Sequence, residues 1–226
     1  MKQIVLFGTG KIADVLLYFL RHQSNYEVVA CTVHRPFLPG DTWQGLPAVA
    51  FDEVERLYPP ATHAMFVALG YQELNALRAR TCAEAKAKGY ALVSYVHPQS
   101  GLPKDCEFGE NCFIMNNVQI HPRVRLGNNV FIWSGAMIGH HSTIGDHCWI
   151  TSGANISGVV TTGRNCFFAV NATVAHNVVM GDECFVGANA LVTKCAGDRE
   201  VFLAESTKPF RLNSHQFLRM SNFAEL

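Results

Sequence analysis

The chain is short of charge. Of its 226 residues only 16% are Asp, Glu, Lys or Arg, and the 18 basic and 18 acidic groups cancel, where about 25% is usual for a globular domain. No run of Lys or Arg offers a surface to nucleic acid or to an anionic membrane. A hydrophobic share of 49% excludes a disordered chain, which needs high net charge and few apolar groups. No apolar run approaches the ~20 residues that span a bilayer. The run at 4–7 is cut by Gly8-Thr9-Gly10-Lys11, too early for the apolar region of a secretory leader. The eight cysteines contain no Cys-x-x-Cys pair, which argues against a zinc ribbon. These absences predict a cytoplasmic protein that binds no nucleic acid and inserts in no membrane.

What is present is a repeat. From Phe108, every sixth residue to Val192 is aliphatic, Met or Phe, with Thr162 the exception. The position four after each anchor is small or Val, as at Cys112, Val130, Ala136, Cys148, Ala154, Cys166 and Cys184. A period of six fits neither a lone helix nor an alternating strand. It predicts a solenoid of short strands and turns, three hexads to a coil and five coils in all. Coils stacked at about 4.8 Å give a prism roughly 24 Å long. The cysteines of the small column are then buried small hydrophobes rather than a disulfide framework. The charge deficit belongs to this segment: residues 108–193 hold seven charged side chains, Glu110, Arg123, Arg125, Asp146, Arg164, Asp182 and Glu183. Five of the ten histidines lie there too: His121, His140, His141, His147 and His176.

This repeat resembles that of the hexapeptide-repeat acyltransferases, and the resemblance implies a left-handed parallel β-helix, against the usual right-handed rule for parallel crossovers. Residues 1–97 read differently. IVLFGTGKIADVLLYFL suggests a strand, a Gly-rich turn and an apolar-faced helix, VVACTV a second strand and AMFVALG a third. A helix over 73–88 and a final strand in YALVSYV complete a small Rossmann-like α/β unit with a mostly parallel sheet. Gly8-Thr9-Gly10 followed by Ala13 has the form of a dinucleotide turn, whose glycines let amides and a helix N-terminus approach phosphate; a tight turn without ligand has the same form. No acid ends the second strand to hold a ribose; His34 and Arg35 stand there, and Arg35 suits a phosphate.

FGTGKIA, VALG at 67–70, Arg78, Arg80 and YVHP at 95–98 running into the hexads together resemble one subgroup, over about residues 1–205. It holds the sialic acid O-acetyltransferases and the N-acetyltransferases of nucleotide-linked amino sugars. The resemblance implies a nucleotide-sugar-binding domain (1–97) with Gly8, Gly10, Arg35 and Gly70 as binding residues, an acyltransferase β-helix (98–205) and a C-terminal cap (206–226). It makes His97-Pro98 the domain junction. IGHHSTIGD at 138–146 resembles the family's active segment, so His140 aligns with the general base, a role imidazole suits near neutral pH. His141 takes the place where the family has an orienting acid. The departure leaves that role open, with Asp146 a possible substitute or a structural turn residue. Gly158, one coil further on, aligns with the amide that holds the oxyanion, and answers equally to a turn glycine. These three form the implied catalytic set.

Trp133 and Trp149 stand where family members carry polar Asn and His. They are read as lining the cleft of His140, Trp133 toward the acceptor and Trp149 toward acetyl-CoA, or as interface aromatics. VGANALVTK at 186–194 resembles the family's last coil, so Gly187, Ala188 and Lys194, with Val170 one coil below, are the implied acetyl-CoA contacts. Phe210, Leu212, Phe217, Leu218 and Phe223 suggest a segment sealing the prism. The implied activity is acetyl transfer from acetyl-CoA to a nucleotide-linked amino sugar in bacterial surface polysaccharide synthesis, by a homotrimer, with no metal in the site. Alternatives are sugar O-acetylation of the sialic acid type, a metal-dependent hydratase built on the stacked His140 and His176, and a non-catalytic nucleotide-sugar-binding scaffold.

Overall fold

A computed structural model describes residues 2–220; Phe223 of the suggested cap lies outside them. The N-terminal part is a five-stranded sheet of order β3-β4-β2-β1-β5, with β1 Lys2–Phe7, β2 Tyr26–Val33, β3 Thr42–Trp43, β4 Leu46–Ala50 and β5 Ala64–Val67. It is parallel except for the β3–β4 hairpin, which the sequence reading missed because Pro47 interrupts an otherwise short apolar run. Helix α1 (Lys11–Gln23) buries Ala13, Leu16, Leu17 and Leu20. A single turn α2 (Val54–Leu57) and helix α3 (Ala76–Ala87) complete the layer.

The predicted last strand divides. Leu92 forms a bridge with Met65 of β5, whereas Tyr95–Val96 pair with Phe113–Ile114 of the solenoid. The three-hexad register therefore begins one strand before Phe108. From there the chain winds a left-handed β-helix of two-residue strands on three faces. The first face runs Tyr95–Val96, Phe113–Ile114, Phe131–Ile132, Trp149–Ile150, Phe167–Phe168, Phe185–Val186 and Val201–Phe202. The second carries Gln119–Ile120 to Leu191–Val192, and the third Glu107–Phe108 to Val179–Met180. Partners sit three hexads apart until the last coil. There Phe185 pairs with Val201 and Met180 with Ala196, each step shorter by two residues.

The hexad anchors from Ile114 to Val192 are buried, and Phe108, on the edge strand, is 40% exposed. Buried Thr162 is tolerated because its hydroxyl accepts the Gly145 N–H at 3.1 Å. Cys112, Cys148, Cys166 and Cys184 fill the small column, each thiol against the carbonyl of a turn glycine at 3.1–3.3 Å. All eight cysteines are free, and burial pushes the Cys112 thiol up to about 11.

From 111 to 189 each turn contains one residue at positive φ, again every sixth position, and half of them are Asn: Asn111, Asn117, Asn129, Asn165, Asn171, Asn177 and Asn189. Asn and Gly tolerate this region; a β-branched side chain does not. Val159, at φ 62 and 37% exposed, is the misfit. Val159→Asn is expected to raise stability by about 1 kcal/mol, seen as a melting shift of about 2–4 °C. An unchanged or lower melting temperature would show that Val159 is not strained.

The α/β unit sits on the first face. Its outward residues form an aromatic column, Tyr95, Phe113, Phe131, Trp149, Phe167 and Phe185, with ring centroids 5.0–5.7 Å apart where neighbours touch. Tyr71 bridges Trp149 and Phe167. Asn111 pairs its side-chain amide with both the N–H and the C=O of Val67, extending β5 by one side chain. Above it Arg78 is fully buried. It donates to Asn129 Oδ1 (2.9 Å), Gly70 O (2.9 Å), Asn75 Oδ1 (3.1 Å), His147 O (3.0 Å) and Asn129 O (3.3 Å). Its guanidinium lies 4.4 Å from the Phe131 ring centre and 5.1 Å from that of Trp149. Every acceptor is neutral.

His147 closes this network, its Nδ1 accepting from Asn129 Nδ2 at 2.9 Å. Burial holds its pKa below the ordinary histidine value. Such a group leaves stability untouched above about pH 6.5, the unfolded value, and removes stability below it, where only the unfolded chain protonates freely. His147→Asn, in a slot where seven other turns carry Asn, keeps an acceptor for Asn129. It is expected to shrink the loss of stability between pH 7 and pH 5 in urea titrations. An undiminished loss would place the titrating group elsewhere, first at buried His97, whose pKa burial also lowers.

Among the described residues, the predicted cap is not buried against the prism in the single chain. Helix α4 (Ser214–Met220) buries none of its residues, and Phe210 and Phe217 lie exposed with their rings 5.9 Å apart. The sequence pattern marked the residues as apolar but did not say what they cover.

Candidate active site

His140 projects from the edge between the second and third faces. Its column, one residue from each successive coil, reads Pro122, His140, Gly158, His176 and Lys194. Gly158 leaves a notch that the imidazole fills: a Cβ there would stand 2.7 Å from His140 Nε2 and 2.9 Å from Cε1. His176 leans into the same space, its ring 6.2 Å from that of His140. Among the described residues no hydrogen bond takes the Gly158 N–H. On the other side of the ring, His140 Nδ1 meets His141 Nδ1 at 3.1 Å. His141 sits at φ 60, its N–H on Pro122 O. It lines a groove of 290 Å³ with Asp105, Glu107, Arg123, Arg125 and Thr143. The structure thus brings His140, His141, Gly158 and His176 together. Among the described residues no three His, Cys, Asp or Glu side chains form a metal-binding group.

Asp146 does not stand in for the orienting acid. It lies on the edge between the third and first faces, where its Oδ1 caps the N–H of Asn128 at 2.7 Å. Nor do the two tryptophans line the cleft of His140 within one chain. Trp149 is 2% exposed beneath the α/β unit, stacked on Phe131 and under Tyr71, so it offers no surface to a ligand. Trp133 is half-buried at the edge between the first and second faces, against Phe113 and Trp149. The column one residue further along that edge holds Val170 and Ala188, with Gly187 beside them. Val170 and Ala188 are exposed. At Gly187 a Cβ would strike Leu203 at 2.9 Å and Phe202 O at 3.0 Å. Lys194 instead shares the edge of His140.

The glycines of the α/β unit divide in the same way. Gly8, at φ +131, packs where a Cβ would stand 2.8 Å from Ala68 O, so the turn itself requires it. Gly10 meets nothing within 4 Å. With Gly70 it lines a cleft of 430 Å³ at the N-terminus of α1, together with Lys11, Ile12, Ala68, Leu69, Tyr71 and Gln72. Lys11 and Tyr71 are members of this cleft that the sequence reading did not single out, although Lys11 directly follows the turn. Arg35 does not join it. It lines a separate cavity and is held by Asp52 (2.9 Å) and Glu53 (3.0 Å), so its charge is already matched.

Residues 105–140, 124–158 and 159–194 match the model of the bacterial transferase hexapeptide (six repeats). No curated protein matches the chain significantly. Among solved structures, PerB of Caulobacter crescentus, in complex with CoA and GDP-perosamine, superposes with a TM-score of 0.78 at 24% identity, over 90% of this chain and 97% of that one. The acetyltransferase domain of PglB from Neisseria gonorrhoeae, in complex with acetyl coenzyme A, gives 0.79 at 18% identity, over 92% and 99%. WeeI of Acinetobacter baumannii gives 0.74 at 16%, over 88% and 94%. Repeat, register and fold converge: residues 105–194 carry the hexapeptide repeat, and the fold is an α/β unit mounted on one face of a left-handed β-helix.

Proposed function

We propose that the chain transfers an acetyl group from acetyl-CoA to an amine or hydroxyl of a nucleotide-linked sugar, as a cytoplasmic step in surface polysaccharide synthesis. The observation that carries the proposal is the exposed imidazole of His140, seated in the Gly158 notch beside a backbone N–H that nothing among the described residues engages. His140 Nε2 takes the proton of the acceptor as it attacks the thioester carbon. The Gly158 N–H then receives the developing oxyanion, and collapse of the tetrahedral intermediate breaks the C–S bond and expels CoA thiolate. The likeness to PerB, whose complex holds CoA and GDP-perosamine, supports the substrate classes. The cleft beside Gly10, Lys11 and Gly70 suits the nucleotide phosphates, with a lysine and the start of a 13-residue helix facing it.

The candidate acetyl-CoA residues Val170, Gly187 and Ala188 and the base His140 occupy the two edges that bound the second face. That face presents Gln119, Met137, Asn155, Thr173 and Leu191 outward, without a charge. In a homotrimer with the second face toward the threefold axis, one edge of each prism meets the other edge of its neighbour. Trp133, Val170 and Ala188 of one copy then approach His140 of the next, and the site completes itself between chains.

The test is thiol release from acetyl-CoA with UDP-, GDP- and dTDP-linked amino sugars. Turnover with at least one acceptor is expected, falling about 10²-fold or more in His140→Ala. A folded His140→Ala that keeps the full rate would remove His140 from the chemistry.

A further inference from the structure

The contact between His140 and His141 fixes more than proximity. Two imidazole nitrogens at 3.1 Å share one proton: two lone pairs or two N–H groups facing each other would repel. Two arrangements remain, and they have opposite consequences for His140 Nε2. The surroundings of the rings are unequal. His141 lines the groove that contains the carboxylates of Asp105 and Glu107, ion-paired to Arg123 and Arg125, so acceptors share the groove with it. His140 Nε2 faces the Gly158 notch, with only the imidazole of His176 beyond. Carboxylate acceptors share the groove of His141 and none lines the Gly158 notch, so an N–H at Nε2 is better placed on His141 than on His140. The backbone is consistent with a selected side chain, since imidazole stands here in a positive-φ slot that this chain otherwise fills mostly with Asn.

We propose that His141 is a positioning residue that sets the tautomer of His140: its bare Nδ1 accepts the Nδ1–H of His140, leaving Nε2 of His140 as a lone pair aimed into the Gly158 notch. The acid expected from the family pattern is replaced by a neutral acceptor. When His140 Nε2 takes up a proton, the Nδ1–H···Nδ1 bond persists and the charge is shared with the second ring. Use of this lone pair in catalysis rests on the acetyl-transfer reading; the proton arrangement does not.

The experiment is long-range ¹H–¹⁵N correlation of histidine-labelled full-length protein without substrate, in the wild type, His141→Asn and His141→Gly. Both replacements suit φ 60, and Asn restores an acceptor near the place of Nδ1. The wild type and His141→Asn are expected to show His140 protonated at Nδ1 and bare at Nε2, with His141 of the wild type reversed. In His141→Gly, His140 is expected to revert to an Nε2–H tautomer. An Nε2–H on His140 in the wild type, or an unchanged Nδ1–H in His141→Gly, would overturn the assignment. With acetyl-CoA and an acceptor that turns over, kcat is expected to fall about tenfold or more in His141→Gly and recover in His141→Asn, with KM for acetyl-CoA unchanged. Equal kcat in the two variants would overturn the positioning role. Absence of turnover in the wild type would count against the acetyl-transfer reading alone, since the spectra decide the tautomer.

Discussion

Arg78→Ala is expected to lower the free energy of unfolding by about 3 kcal/mol or more, out of the roughly 5–15 kcal/mol that keeps a domain folded. The guanidinium is fully buried and serves five neutral acceptors on three segments: Gly70 and Asn75 before α3, and Asn129 and His147 on the prism. Removing it relieves the desolvation of the cation, the effect that holds its pKa down to about 10, but strands carbonyl and amide oxygens where little water reaches. It also uncovers the faces of Phe131 and Trp149. The stranded acceptors outweigh the relief, because five hydrogen bonds and two ring contacts are lost at once from a site closed to water. Arg78→Lys should recover only part of the loss, since an ammonium has three donors and no planar fork to lay on the rings. Urea unfolding of the three proteins measures both quantities. A loss below about 1 kcal/mol for Arg78→Ala would mean that the acceptors rehydrate freely and that the interface is wetter than its burial suggests.

On the acetyl-transfer reading proposed above, Gly158→Ala is expected to reduce turnover by about 10²-fold or more with the fold intact. A methyl group there stands 2.7 Å from His140 Nε2, and the side chain, exposed and able to rotate, yields before the backbone does. The imidazole leaves the notch, and base and free N–H no longer face one point. Gly139→Ala provides the contrast. Its methyl would collide with the Gly158 nitrogen and the Ser157 carbonyl carbon, backbone atoms that cannot move without breaking the coil, so the loss there should be of folding. A Gly158→Ala enzyme at full rate would show that the seated position of the ring is not the working one.

The β-helix was legible because one residue in six must fill a narrow interior and one must pass a corner; those constraints survive any change outside. That His140 and Gly158 stand in one column was legible for the same reason, as three hexads make one coil; the choice of His140 came from the resemblance of IGHHSTIGD, not from the period. The role of Trp149 was misjudged because only the inward positions were read as a pattern. The residues just before the anchors at 114, 132, 150, 168 and 186 are Phe113, Phe131, Trp149, Phe167 and Phe185, an outward aromatic column, one ring per coil, that marks a covered face. Arg78 left no such trace. Its partners are carbonyls and amides scattered from Gly70 to His147, and nothing in the sequence around an arginine announces that every charge-bearing group will be absent from its surroundings. The separation of Arg35 from the Gly10 cleft had a local cue, in Asp52 and Glu53, but only the hairpin β3–β4 brings them back beside it.

The aromatic column has one more consequence. A stack of coils resembles a pile of coins, in which each member touches only the ones above and below and separation can begin at either end. Here the α/β unit is strapped along one side of the pile, from Tyr95 past Trp149 to Phe167, so the lower coins cannot part without tearing the strap. Beyond Phe185 the column ends in Val201, 61% exposed, on the coil that is two residues short. Among the described residues the rod is splinted along its lower coils and bare at the Val201 end, and loosening starts there.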